Sequence, residues 1–263
     1  MTRRMALVAF AGMVGLASPA AADETTFCNA FITSLPYTIT TQGHYCFNRN
    51  LSTAVLTGNA ITVNADFVVI DLNNFKLGGG SAGLGTQAIG IRAIDRQNIT
   101  IRNGNIRGFM RGIWLENDTL NRSGGHLIEN NILDSNTVKG AEVDAGGVGN
   151  LPNVLRNNTV SNTGGSTVLY YNYTEGIDAN GSGPALVQNN FVTGVYGLTG
   201  SQDGIDNDGM AIGNTVYMDY DYTNTTAIHV DGICRDNNLL AAFRWFQHGC
   251  GALDNVFYSV TYP

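Results

Sequence analysis

Glu175-Gly176-Ile177-Asp178, Asp203-Gly204-Ile205-Asp206 and Asp231-Gly232-Ile233-Cys234 stand 28 residues apart. A small acidic motif at constant spacing marks a repeat, in which each period is one turn of a continuous structure. Towards the N-terminus the same place is filled by Lys139-Gly140-Ala141-Glu142, Arg111-Gly112-Ile113-Trp114 and Ile89-Gly90-Ile91-Arg92, giving steps of 22, 28, 36, 28 and 28 residues. The strand motif persists while insertions fall in turns. The 36-residue step holds a Tyr-rich insert, Tyr170-Tyr171-Asn172-Tyr173.

Each period carries a second short strand that ends in asparagine: His126-Leu-Ile-Glu-Asn130-Asn131, Asn153-Val-Leu-Arg-Asn157-Asn158, Ala185-Leu-Val-Gln-Asn189-Asn190 and Met210-Ala-Ile-Gly-Asn214. The chain has 33 Gly and 30 Asn, with only 13 % charged residues, too few charges and too many turn formers for surface helices. Asn and Gly accept left-handed backbone angles cheaply, so the chain turns often and tightly. The composition predicts a β protein.

Short strands separated by Asn or Gly at this spacing resemble the right-handed parallel β-helix, the pectate-lyase-like fold. The run from Leu35 through Cys46 to Ala60–Leu72 is similar to the start of bacterial exported proteins with such a region. The resemblance implies an all-β, single-domain solenoid over residues 23–263 with rungs of about 28 residues. Stacked Val, Ile and Leu would fill its interior and repeated Asn would form an amide stack. Exposed sheet edges call for caps, expected at 23–50 and at 239–263, the latter with Phe243, Trp245 and Phe246.

Arg3 and Arg4, the apolar run Met5–Leu16 and Ala20-Ala21-Ala22 read as a secretory signal peptide over residues 1–22. A secreted or periplasmic location is expected, with no membrane insertion. Four cysteines suit that compartment, and the local pairing of Cys28 with Cys46 and Cys234 with Cys250 is expected among three connectivities. Without Arg3 and Arg4 the chain has 12 basic against 21 acidic residues, a net charge of −9. Twelve of the acids and only three bases lie from Glu142 onward. That imbalance argues against nucleic acid or anionic lipid as partner and suits cations or glycans.

With the isoleucine of each tetrapeptide inward, the next residue points out, so Glu142, Asp178 and Asp206 stack on consecutive rungs, with Cys234 expected next. Like charges about 5 Å apart raise a pKa or recruit a cation. With Asp208 these acids make an oxygen-rich set, Glu142, Asp178, Asp206 and Asp208, of the kind that suits calcium. Pectate-lyase-like enzymes use calcium in this way, with an Arg or Lys as base. Ser201-Gln202-Asp203-Gly204-Ile205-Asp206 also resembles a polygalacturonase signature, which implies Asp203 as general acid. The adjacent Asp-Asp, Gly-His-Gly and Arg-Ile-Lys of that family do not follow. Asp178, Asp203 and Asp206 are the candidate catalytic residues.

Tyr170, Tyr171 and Tyr173, followed by Glu175, and later Tyr220, pair aromatic rings with carboxylates, a combination that binds sugars. The early arginines Arg92, Arg102, Arg107 and Arg111 are expected to pair with nearby acids. His126 and His229 each read as a lone strand histidine, and Gly78-Gly79-Gly80, Gly83 and Gly85 read as a turn. Two function classes are open: a polysaccharide lyase or glycoside hydrolase, and a non-catalytic β-helix that binds cell-surface glycan.

Overall fold

A computed structural model of the protein describes residues 27–144, 151–168, 173–181, 183–197, 200–218, 225–241, 244–247 and 254–259. The leader (1–22), Tyr170, Tyr171, Tyr220, Phe243 and Cys250 lie outside these residues, and of Trp245 and Phe246 only the backbone is described. Short strands join into three nine-stranded parallel sheets. In one turn the chain passes through the first sheet (Val68–Asp71), the second (Lys76–Gly78) and the third (Ile89–Ile94). It then returns to the first one rung on (Ile99–Arg102). Such crossovers between parallel strands are right-handed, and the chain is a right-handed parallel β-helix in a single domain. One 3-10 turn, Gly80–Ala82, is the only helical element among the described residues.

Inward residues stack rung on rung. In the third sheet the column is Ile61, Ile91, Ile113, Ala141, Ile177, Ile205 and Ile228, all fully buried. The first sheet supplies Ile70, Ile101, Ile128, Leu155 and Val187, and the second Leu77, Ile106, Leu133, Val160, Val192 and Val216. Each Ile, Leu or Val withdrawn from water contributes about 1.5–3 kcal/mol.

The asparagine pairs divide the work at the corner after the first sheet. The first residue of each takes the left-handed angle (Asn130 φ 55°, Asn157 φ 55°, Asn189 φ 53°), which closes the turn. The second joins a ladder running through Asn131, Asn158, Asn190, Asn214, Asn237 and Asn255. Each Oδ1 from Asn158 onward accepts the backbone N–H of the preceding asparagine at 2.8–3.1 Å. Each Nδ2 from Asn131 to Asn237 also donates to a first-sheet carbonyl at 2.8–2.9 Å. Six buried corners thus satisfy their backbone groups with one residue type.

One expectation fails here. Asp231-Gly232-Ile233-Cys234 is not a third-sheet rung: Ile233–Arg235 lies in the first sheet, where Cys234 sits beside Ala211 in the core. The third-sheet rung is Thr225–Val230, with Thr226 beside Asp203, Ile228 beside Ile205 and His229 beside Asp206. The true step is 23 residues. The match of 28 arose because Asp231-Gly232 is the corner that opens the following rung.

The ends expected as caps carry rungs of their own. Ala30–Ile32 and Tyr37–Ile39 are the outermost strands of the first and third sheets. Asn238–Ala241, Arg244–Gln247 and Val256–Ser259 extend the second and third sheets at the other end. Cys28 and Cys46 form a disulfide, which ties the first rung to the second. Cys234 is also disulfide-bonded. No helix among the described residues is long and apolar enough to cross a membrane.

Candidate functional site

The glycine of the repeated tetrapeptide decides what the third sheet shows to its outside. A Cβ on Gly176 would lie 2.5 Å from the Gly204 carbonyl oxygen and 2.6 Å from Val192 Cγ1, so this position faces the core. Gly140 is the same, with 2.5 Å to the Gly176 oxygen and 2.8 Å to Val160 Cγ1. Glycine and the isoleucine after it therefore both point inward. The residues on either side are both thrown outward, and two columns share one outer face. The first runs Arg111, Lys139, Glu175, Asp203, Thr226, and the second Arg92, Trp114, Glu142, Asp178, Asp206, His229. Strict alternation had anticipated only the second.

Lys139 stands at the meeting of the two columns. Its Nζ lies 2.7 Å from Glu175 Oε2 and 3.3 Å from Glu142 Oε1, and it also pairs with Asp178. Arg111 pairs with Glu142 from the rung before. Beyond it the Arg111 and Arg92 guanidinium groups flank the Trp114 ring, 4.2 and 4.3 Å from its centroid, and Arg92 pairs with Glu116. The face thus grades from cationic to anionic over five rungs.

Burial controls the titration of the anionic end. Lys139 is 8 % exposed; burial alone would lower its pKa, but Asp178, Glu175 and Glu142 together raise it, so it stays an ammonium. Glu175 is pushed well up, by burial and then by Asp178. Burial and the Asp206 charge push Asp203 up to about 6, against hydrogen bonds from Thr226 and Ser201. Asp206 is raised by burial, with Asp178 and Asp208 adding. Asp144, which follows the Lys139–Val143 strand, is raised to about 7 by burial and by the charges of Glu142 and Asp178.

Asp203, Asp206 and His229 converge: one ligand atom of each lies within 4.8 Å of the others, and His229 Nδ1 is 3.1 Å from Asp206 Oδ1. Asp203 is 5 % exposed and its Oδ1 has no hydrogen-bond partner. Of the expected calcium set, Glu142 and Asp178 already share the Lys139 ammonium, which fills the place between them where a cation was expected. Asp208 is exposed in a turn, where its Oδ2 accepts the Gly181 N–H at 2.9 Å. Among the described residues the one grouping that offers converging ligand atoms is Asp203, Asp206 and His229, two oxygens and a ring nitrogen.

Of the expected sugar contacts, Tyr173 is 61 % exposed beside Ser201 at the start of its strand, while Glu175 is bound to Lys139. The remaining early arginines are paired as expected, Arg102 with Asp71 and Arg107 with Asp134. His126 is buried: its Nδ1 accepts the Ile99 N–H, and burial lowers its pKa to about 3, a structural role. Lys139, Arg111, Asp144 and His229 went unremarked as site residues. The signal was present for Lys139 and Arg111, which occupy the motif position of Glu175 and Asp203. For His229 it was hidden, because Ala227 replaces the glycine of its rung.

Fold and face together define a parallel β-helix whose third sheet carries a graded charged stripe. No family model and no curated protein matches the sequence. Among solved structures the chain is similar to the Dettilon tailspike protein, gp208, at 13 % identity with a TM-score of 0.36. The likeness covers 86 % of this chain but 60 % of the tailspike, so this chain spans less than two thirds of that protein's length.

Proposed function

We propose that the protein is an exported β-helix that acts on polysaccharide along the outer face of its third sheet, with Asp203 and Asp206 as the working carboxylates. The observation that carries this reading is their convergence within 4.8 Å on an outer sheet face, beside a histidine. Glycoside hydrolysis needs one carboxyl that keeps its proton as general acid and a second that acts as base or nucleophile; in retaining enzymes the two stand about 5–5.5 Å apart. Asp203, more buried and pushed up to about 6, suits the acid. Asp206 suits the second role. Asp178 takes no direct part, since Lys139 holds it.

A lyase reading requires a divalent cation. Asp203, Asp206 and His229 would hold it, and a mixed oxygen and nitrogen set suits zinc or manganese better than calcium. The non-catalytic alternative draws on a different observation. Glu142, Glu175 and Asp178 are satisfied by Lys139 and Arg111, as in a face built for structure or glycan adhesion.

The test is incubation with a panel of neutral and uronate polymers, with added calcium, zinc or a chelator. New reducing ends that persist in chelator support the hydrolase. Unsaturated products that require metal support the lyase. Silence across the panel with glycan binding intact supports the adhesion reading.

A further inference from the structure

At the corner where the second sheet turns into the third lies a cleft of about 400 Å³, within the range of small-ligand sites. Its floor is Gly78: a Cβ there would stand 3.0 Å from Ser52 Oγ and 3.4 Å from Lys76 Cε, so the lysine stem lies along the cleft. Lys76 makes no ion pair among the described residues. Across from it Arg107 holds Asp134 at 3.0 Å and Ser135 at 3.5 Å through Nη2, which leaves further guanidinium donors for a ligand.

Hydroxyls from Ser52, Ser81, Ser135 and Thr137 complete the lining, and no described lining residue is acidic. Thr137 is 3 % exposed and its Oγ1 has no hydrogen-bond partner. The far wall is pre-formed. Gly79 packs against the Phe109 ring, where a Cβ would come within 2.6 Å, and the Leu84 carbonyl accepts the Thr167 N–H at 3.1 Å.

A basic, hydroxyl-lined cleft without carboxylates is out of keeping with a chain as acidic as this one. Its volume exceeds that of a lone small anion, and its donors and acceptors suit a polyhydroxylated ligand. The strands beside it, Lys76–Gly78, Asn105–Arg107 and Ile132–Asp134, lead on the same rungs into the strands that carry Arg92, Arg111 and Lys139. We propose that this cleft binds an anionic sugar unit. Its carboxylate or sulfate lies between Lys76 and Arg107, and its hydroxyls bond to the serines and Thr137. The assignment takes the sugar from the polysaccharide reading but is independent of chemistry at Asp203 and Asp206.

Calorimetric titration of the full chain with a galacturonate trisaccharide, a sulfated galactose trisaccharide and neutral galactotriose tests it. At least one acidic sugar should bind, and galactotriose at least tenfold more weakly. Affinity should fall with added salt, and the responding arm identifies carboxylate or sulfate. Lys76→Gln should weaken acidic-sugar binding at least tenfold without lowering the melting temperature, and Gly78→Val, which fills the floor, should abolish it. The D203N/D206N double variant should bind as the wild type does, so loss of cleavage and loss of this site are told apart. Binding unchanged in Lys76→Gln, equal binding of the neutral sugar, or no binding of either anion would overturn the assignment.

Discussion

Removal of the Lys139 ammonium is the sharpest perturbation of the charged face. Lys139→Met keeps the length of the side chain but leaves Glu142, Glu175 and Asp178 together without the cation they share, at 9, 4 and 5 % exposure. Breaking a buried pair by removing one partner costs about 3–5 kcal/mol. For a domain of this size each kcal/mol moves the melting temperature by about 2–4 °C, so the variant should melt roughly 6–20 °C below the wild type at pH 7.5. The deficit must depend on pH. Without the lysine the folded-state pKa values of these carboxyls rise further above their unfolded values of about 4. The penalty is then absent below about pH 4, where folded and unfolded forms are both protonated, and grows as pH rises through the folded values. Circular-dichroism melts at pH 4 and 7.5 should therefore nearly coincide for variant and wild type at the lower pH and diverge at the higher. Adding Glu175→Gln to the variant should restore part of the loss. A shift below about 2 °C at pH 7.5, worth less than about 1 kcal/mol, would refute the placement of Lys139 among these acids.

Other consequences are as direct. Wild-type stability should fall between about pH 4 and pH 7, because Asp203 and Asp144 titrate at about 6 and about 7 in the fold, above their unfolded values; Asp203→Asn should flatten the lower part of that decline in a pH series of melts. Asn190→Ala removes the partner of the Asn158 N–H and of the Leu155 carbonyl, and should lower the urea midpoint by an amount worth about 2–4 kcal/mol, whereas Asn189→Gly, at φ 53°, should be nearly neutral. Gly176→Ala drives a methyl into the Gly204 carbonyl and Val192, and should cost about 1–3 kcal/mol or more in the same assay.

The coil was legible because its signals are local: glycine before an inward isoleucine, and Asn-Asn at a corner where one residue turns and the next bonds. Those patterns survive insertions, so strands back to Ile89–Ile94 could be placed from sequence. The register of the last rungs could not. Between Asp206 and His229 the turn shortens the period, and Ala227 takes the glycine place, so Asp231-Gly232-Ile233 offered a better match in the wrong sheet. The charge balance of the site was hidden by a geometric fact rather than a sequence one. Only the contacts of the glycine show that it shares the inward side with isoleucine, which brings Lys139 and Glu175 onto the face of Asp178. Once that is seen, the cation that a stack of acids calls for is the chain's own lysine.

The account rests most heavily on Asp203 and Asp206 as a working pair. The decisive measurement is the rate of polymer cleavage by wild type, Asp203→Asn and Asp206→Asn from pH 4 to 8, on the best substrate of the panel. The account predicts a wild-type rate that falls above about pH 6 as Asp203 loses its proton, and a loss of at least about 10²-fold in each variant with undiminished melting temperature. Cleavage by Asp203→Asn at the wild-type rate, or no cleavage of any polymer by the wild type, would contradict it.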